Sequence, residues 1–519
     1  MVPRLSSLQA AFIELSLAAL LWALACPPDI FAESQSEKDK PADPYGVALP
    51  DQLSSPIALP AATTPVAAES KSPSLPPARP RPYRPVFYDN DFRYLDQPDN
   101  PWQDPFDVFK RLRPIAACDL VTDIGGEFRW QGKVENNRRL NGNNNTYNLF
   151  RERLYADTWY ADVIRFYVEG IDASSANEDE PPLVIDENRW DLLNIFGEVL
   201  LWTDGEHAVS VRYGRQELLF GEQRLISPLD WGNTRRTFDE TVRVLWRASR
   251  YSLDFFWGRP VIPDVNNFDH GDQSRQFGGL YASFKPRPEW VYDAYFLALL
   301  ESDDLVPGRR IPFGDFEVYT LGGRWKGTWQ DWLGEIEAAV QWGHQADLDR
   351  IAGMFTIGAG RRFPSCCAKP ELWIYFDWAS GDDDPNDGRF NTFNQLFPLA
   401  HKYFGFLDIV ARQNIRDLNI LLTMTPLEKV RLLAWYHRFW LEEERDGLYN
   451  AAGVLIRRDP TGRAGTDVGH ELDLVLEILV NPHTDWQFGY SHFAPGNFIK
   501  RTGVGGDAEF FYTQFVFRF

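Results

Sequence analysis

The chain has 519 residues, a formal net charge of −21, and 24% charged and 44% hydrophobic residues. Past its leader no apolar run reaches the roughly 18 residues that a membrane-crossing helix needs, which excludes a helical membrane protein. Its 19 Trp, 20 Tyr and 37 Phe exceed the usual share of a soluble domain and suit the interfacial girdles of a transmembrane β-barrel, a fold that hides its apolar surface in alternation.

Arg4 precedes an apolar stretch over 15–25 that is too short to span a bilayer. With Ile30, Phe31 and Ala32 after it, residues 1–32 read as a secretory signal cleaved after Ala32. Cys26 offers a competing lipoprotein reading, which a barrel anchored by its own strands does not need. Residues 33–95 are rich in Pro, Ala and Ser and are expected to form a disordered periplasmic tether with little to bury. Arg79, Arg81 and Arg84 belong to that solvated linker, contact with an anionic polymer being the alternative.

Residues 96–519 are expected to form the barrel. Alternating runs separated by turns begin near residue 116 and recur to near 508, giving 18 candidate strands, an even number that lets a single chain close antiparallel. Ile164, Phe166 and Val168 share one face of such a run, as do Leu372, Ile374, Phe376 and Trp378. The last run, 511–519, sets Phe515, Phe517 and Phe519 on one face, the pattern of a closing strand. Links at 249–250, 285–288, 425–426 and 481–483 are short and read as periplasmic turns, whereas 214–239, 380–414 and 442–468 are long and read as extracellular loops.

The face opposite the apolar one carries charge. Arg151, Arg153 and Asp157 lie on one strand, Arg165 and Glu169 on the next, and Arg212, Arg243, Arg247 and Arg324 on later ones. A charge facing lipid at mid-membrane costs ~2–4 kcal/mol, so these side chains are assigned to the lumen. The chain uses 42 Arg against 11 Lys, and a planar guanidinium grips a carboxylate bidentately. Such a ladder, relieved by Asp157, Glu169, Glu198 and Asp473, suits conduction of an anionic polymer; the competing reading is that Arg–acid pairs simply fill the interior.

Two long motifs resemble the alginate-export porin family. One is Val211-Arg212-Tyr213-Gly214-Arg215-Gln216-Glu217-Leu218, continuing through Phe220-Gly221-Glu222-Gln223-Arg224-Leu225 and Leu229-Asp230-Trp231-Gly232-Asn233-Thr234-Arg235-Arg236-Thr237-Phe238-Asp239. The other is Ala379-Ser380-Gly381-Asp382-Asp383-Asp384-Pro385-Asn386-Asp387-Gly388 with Thr392-Phe393-Asn394-Gln395-Leu396-Phe397-Pro398 and His401-Lys402-Tyr403-Phe404-Gly405-Phe406. The resemblance covers about 110–519 and implies an 18-stranded outer-membrane porin, exporting an anionic polysaccharide such as an alginate-like uronate polymer through an arginine-rich constriction. It assigns substrate contact to Arg212, Arg215, Arg235 and Arg236, balancing carboxylates to Asp230 and Asp239, and an inward-folding rim loop to Asp382, Asp384 and His401–Tyr403. Arg215, Arg224, Arg235 and Arg236 are expected to cluster at the extracellular end of the constriction.

Other chemistry is thinner. Asp382, Asp384 and Asn386 alternate as calcium ligands do, but Asp387 replaces the turn glycine of an EF-hand, leaving only a weak loop-bound calcium candidate. His344, His401 and His437 stand apart from any cysteine or carboxylate cluster, so no zinc site is expected. Cys118, Cys366 and Cys367 survive the leader, and a bridge to Cys118 requires the fold to bring them together. No G-x-S-x-G motif is present, and the chain is read as no enzyme. A non-transporting structural barrel or adhesin, or a membrane-embedded hydrolase, is the alternative. The expected partners are uronate oligomers, outer-membrane lipid, the barrel-assembly machinery and periplasmic secretion components, with no nucleic acid.

Overall fold

The computed structural model describes residues 83–98, 100–102, 104–115, 118–302, 314–384 and 386–519. The signal and most of the tether lie outside the described residues. Eighteen antiparallel strands form one sheet, each hydrogen-bonded to its neighbours in sequence, and β20 (Ala508–Arg518) pairs with β1 (Leu120–Asn136) to close it. Two further short strands, β16 (Leu448–Tyr449) and β17 (Leu455–Arg457), make a separate hairpin between β15 (Val430–Leu441) and β18 (Asp467–Asn481). The barrel strands run from 9 to 17 residues, and about 9–11 suffice to cross a bilayer at a tilt.

Alternation follows the sequence. On β2 (Asn144–Tyr160) Leu154 is 60% exposed while Arg151 and Arg153 are 1% and 3% exposed; the outward side chain meets lipid and the inward ones meet protein. Tyr160, Trp202, Tyr251, Trp329 and Trp332 are exposed at strand ends beside short turns, forming a girdle at the periplasmic rim. Strand boundaries differ from the sequence reading by a few residues: the first begins at 120 rather than 116, and the second at 144 rather than 147.

Two expected turns move. β8 (Arg275–Arg287) and β14 (Ile415–Leu427) run past Pro286 and Pro426, with register shifts between Phe284 and Arg287 and between Met424 and Leu427. A proline lacks the ladder N–H, and a bulge absorbs that loss where a regular strand would not. The turns proper are therefore 288–289 and 428–429.

The lumen is packed. Two long loops, 217–237 and 380–414, bend inward, and Leu218, Phe220, Leu225 and Ile226 join Phe238, Phe256, Phe277, Phe393 and Phe404 in one apolar core inside the wall. Residues 83–95, expected to belong to a disordered tether, carry a 3-10 turn at Phe87–Asp89 and the start of a second at Arg93–Asp96, and bury Val86, Phe87 and Tyr88 against Tyr155, Tyr167 and Phe196. The boundary at 95 therefore moves: the aromatic run 86–88 buries enough apolar surface to order a segment whose composition alone suggested none.

Candidate functional site

The inward loops are tied to each other and to the wall. Ser227 donates its backbone N–H to the Phe397 carbonyl at 2.8 Å, Phe397 returns one to Leu225 at 2.9 Å, and Leu399 donates to Gln223 at 2.8 Å. Gly221 (φ +55°) and Gly405 (φ +82°) hold left-handed turns where a Cβ would collide with the Tyr281 hydroxyl and the Glu471 carboxylate, so both tips need glycine. Arg129 and Arg151, opposite each other on β1 and β2, hold the tip of the 217–237 loop: Arg129 donates to the Asp230 carbonyl at 2.7 Å and Arg151 to that of Gly232 at 2.9 Å.

Beneath the loop tips lies a cavity of about 1240 Å³ whose wall includes the periplasmic turns near Glu289, Pro364 and Glu428. It is a vestibule on the periplasmic side, on the β8–β20 half of the barrel. Six Arg and four Lys line it against seven Asp and Glu. At its upper end Glu222 receives Lys326 at 2.9 Å, Arg324 at 3.1 Å and Lys402 at 3.5 Å. Burial pushes the Glu222 carboxyl up, but Lys326, Lys402, Arg324 and Arg224 together hold it well below the usual carboxylate range. The same burial pushes the Lys402 ammonium down to about 8 against the pull of Glu222. Beside them Trp231 stacks on His401 with centroids 3.7 Å apart, and His401 on Phe406 at 4.8 Å, an aromatic column at the vestibule roof.

The arginines singled out in sequence are inward and nearly all ion-paired. Arg151 meets Glu127 at 2.7 Å, Arg153 meets Glu169 at 2.6 Å, Arg165 meets Asp157 at 2.7 Å, Arg212 meets Glu198 at 2.7 Å and Arg243 meets Asp254 at 2.7 Å. Arg324 meets Asp293 at 2.6 Å as well as Glu222. Of the expected contact residues, only Arg151 and Arg324 line the vestibule. Arg153, Arg165 and Arg212 are covered by residues 85–89: Arg153 lies over the Phe87 ring at 3.9 Å, Arg212 over the Tyr88 ring at 4.6 Å, and Arg165 donates to the Tyr88 carbonyl.

Arg215, Arg224, Arg235 and Arg236 do not form one cluster. Arg215 goes to Asp239 at 3.0 Å and Asp191 at 3.4 Å; Arg224 crosses to Glu335 and, at 2.8 Å, Glu337; Arg235 binds Glu217 and Asp230; and Arg236 reaches the carbonyls of Ser227 and Pro398. Each follows its own acceptor because a buried guanidinium without one is costly. Arg224 and Arg235 sit within the lumen, whereas Arg215 stays at the extracellular end of the strand His207–Gln216, where it also donates to the Asp269 carbonyl of the 261–274 loop at 2.6 Å.

In the second motif the Asp382 N–H donates to Asp446 at 3.0 Å, and Asp384 accepts the Asn386 N–H at 3.1 Å, closing its own turn. Burial, aided by Asp446, Asp387 and Asp383, pushes Asp382 up to about 6. Among the described residues no group of three or more His, Cys, Asp and Glu converges as metal ligands would. Cys118, Cys366 and Cys367 are thiols.

Sequence reading missed Arg129, Glu127, Lys326 and Glu222. The first three were legible, since Glu127, Arg129, Gln131, Lys133 and Glu135 alternate on β1, and Lys326 stands two residues after Arg324 on β10 (Phe316–Trp329). Glu222 lies on an irregular loop, where no period points inward.

A family model described as alginate export matches residues 121–511. Among solved structures, Pseudomonas aeruginosa OccD3 (OpdP) is 12% identical with a TM-score of 0.51, over 77% of this chain and 91% of that one. Acinetobacter baumannii OccAB2 is 8% identical with a TM-score of 0.51, over 77% and 98%. They share the fold. No curated relative matches the chain.

Proposed function

The chain belongs to the alginate export family, it is a bacterial outer-membrane channel, and we propose that what it passes is an anionic, uronate-bearing polysaccharide taken up from the periplasmic side. The observation that carries this reading is the vestibule: in a chain of net charge −21, its wall reverses sign, with ten Arg and Lys against seven Asp and Glu. A cavity rimmed by cations and walled by low-dielectric protein concentrates anions. The stacked Trp231, His401 and Phe406 at its roof offer apolar edges to sugar rings, and Lys326 and Lys402 flank the route upward.

Transport rather than catalysis is the role that family and fold favour. The barrel-assembly machinery and periplasmic secretion components are the partners this role calls for. Reversal potentials of the purified channel under a KCl gradient test it: anion selectivity, with current block by uronate oligomers added on the periplasmic side, is expected. A cation-selective pore, or one indifferent to the oligomers, would overturn it.

A further inference from the structure

The half of the lumen opposite the vestibule holds the buried Arg153, Arg165, Arg212 and Arg243, and a piece of this same chain lies on it. Residues 85–89 enter from the periplasmic end. The Pro85 carbonyl accepts from Arg235 at 2.8 Å, the Phe87 ring lies under Arg153, the Tyr88 carbonyl accepts from Arg165, and the Tyr88 ring lies under Arg212. Tyr88 also donates its hydroxyl to the Glu217 carbonyl, and Asn90 donates to the Tyr155 hydroxyl at 3.2 Å. Asp89 follows directly, within electrostatic reach of Arg212, Arg243, Arg165 and Arg247 but with no ion pair to any of them among the described residues. The segment thus presents to four β-strands what a uronate chain would: acceptor oxygens, flat apolar faces and a carboxylate.

Its root is latched separately. Tyr83 shares a hydrogen bond of 3.1 Å with His483, whose other ring nitrogen meets Asp104 at 2.6 Å, beside the closing strand. The contacts at 85–89 are therefore confined to a short stretch between this latch and the loop above. Arg153 and Arg212 each retain one buried guanidinium nitrogen, Nη1, with no hydrogen-bond partner, so the face has donor capacity that the segment does not use.

We propose that residues 85–89 are a displaceable internal occupant of the arginine face, with Asp89 and the Tyr88 carbonyl standing in for polymer oxygens, so that the resting channel conducts through the vestibule half alone. The occupant leaves when a polyanion competes for Arg165 and Arg212, and the second half of the lumen then opens. The idea does not depend on which polymer is moved.

Full-length protein in planar bilayers with KCl tests it through three variants. Asp89→Arg sets like charge among four arginines and expels the segment; Phe87→Ala/Tyr88→Ala removes its apolar anchor; Asp89→Asn weakens it mildly. The first two are expected to raise unitary conductance at least twofold and move the reversal potential toward that of chloride, with Asp89→Asn between them and the parent. If both insert as heat-modifiable barrels and keep the parent conductance and reversal potential, the proposal falls. If neither inserts while Asp89→Asn does, the segment is a fixed cork that the barrel needs, and displacement is equally overturned. Because the readout is a salt current, failure here leaves the polysaccharide reading standing, while a cation-selective parent channel would sink that reading alone.

Discussion

At the residue scale the lumen is governed by charge held in little water. Arg153 has no exposed side-chain surface and faces Glu169 and Glu217; removing one partner of such a buried pair costs ~3–5 kcal/mol, chiefly by stranding the other. These pairs therefore brace the wall, and groups that can change charge near neutral pH matter more for conduction. Lys402 is one. Burial brings its ammonium down to about 8, with Glu222 opposing and Lys326 and Arg224 assisting, so it is charged at pH 7 and neutral at pH 9. Loss of a positive charge lowers the attraction for anions. At ~8 Å from the path with an effective dielectric of ~80 one charge is worth ~0.5 kcal/mol, or roughly a twofold change. The ratio of chloride to potassium permeability is expected to fall about that much between pH 7 and pH 9, and Lys402→Met is expected to flatten the response. Lys110, outside the vestibule, is also brought down to about 8 by burial, which is why the variant and not the titration alone identifies the group. A slope unchanged by Lys402→Met would remove Lys402 from the path.

At the scale of elements, the closing contact is specific enough to break. Phe519 exchanges two backbone hydrogen bonds of 3.1 Å with Gly126, and its ring packs near Phe106 and Phe109. Deleting Phe519 takes away both bonds and the aromatic seat at the seam, and the variant is expected to disappear from heat-modifiable gel bands; normal insertion would show that β20 closes without it. Strands of this kind were legible because period-two alternation is written directly into residues such as Leu372, Ile374 and Phe376. The loops were not legible from composition, since 217–237 and 380–414 look alike to it whether they reach outward or inward; the inward course of 380–414 was expected only from the family resemblance. What turns them inward is long-range pairing, Arg224 with Glu337 and Ser227 with Phe397, and no local pattern announces partners over a hundred residues away. The arginines on β2, β3 (Ile164–Ala176) and β5 (His207–Gln216) are buried on the inward face that alternation assigns them. Their cover was not foreseen, because residues 85–89 follow a proline-rich stretch that reads as linker.

At the scale of the whole molecule, the barrel is a round wall with an uneven interior: one half is filled by the N-terminal segment and the 217–237 loop, the other opens as a vestibule toward the periplasm. Such asymmetry gives the channel a side. Cys367 lies on the turn between β12 (Leu348–Arg362) and β13 (Glu371–Ala379), is exposed and lines the vestibule mouth, whereas Cys366 beside it is exposed but does not line it. An anionic methanethiosulfonate coupled to Cys367 would add negative charge where cations now prevail, opposing anion capture in the way that local fields act on charged solutes. Applied to the periplasmic chamber, the reagent is expected to lower anion current in the parent and in Cys366→Ser, and to leave Cys367→Ser unchanged. From the extracellular chamber it must pass the loops joined at Ser227 and Phe397, so modification is expected to be much slower. Equal rates from both sides would mean that the loop pair does not constrict the lumen. Confirmed modification of Cys367 without loss of current would mean that ions bypass the vestibule.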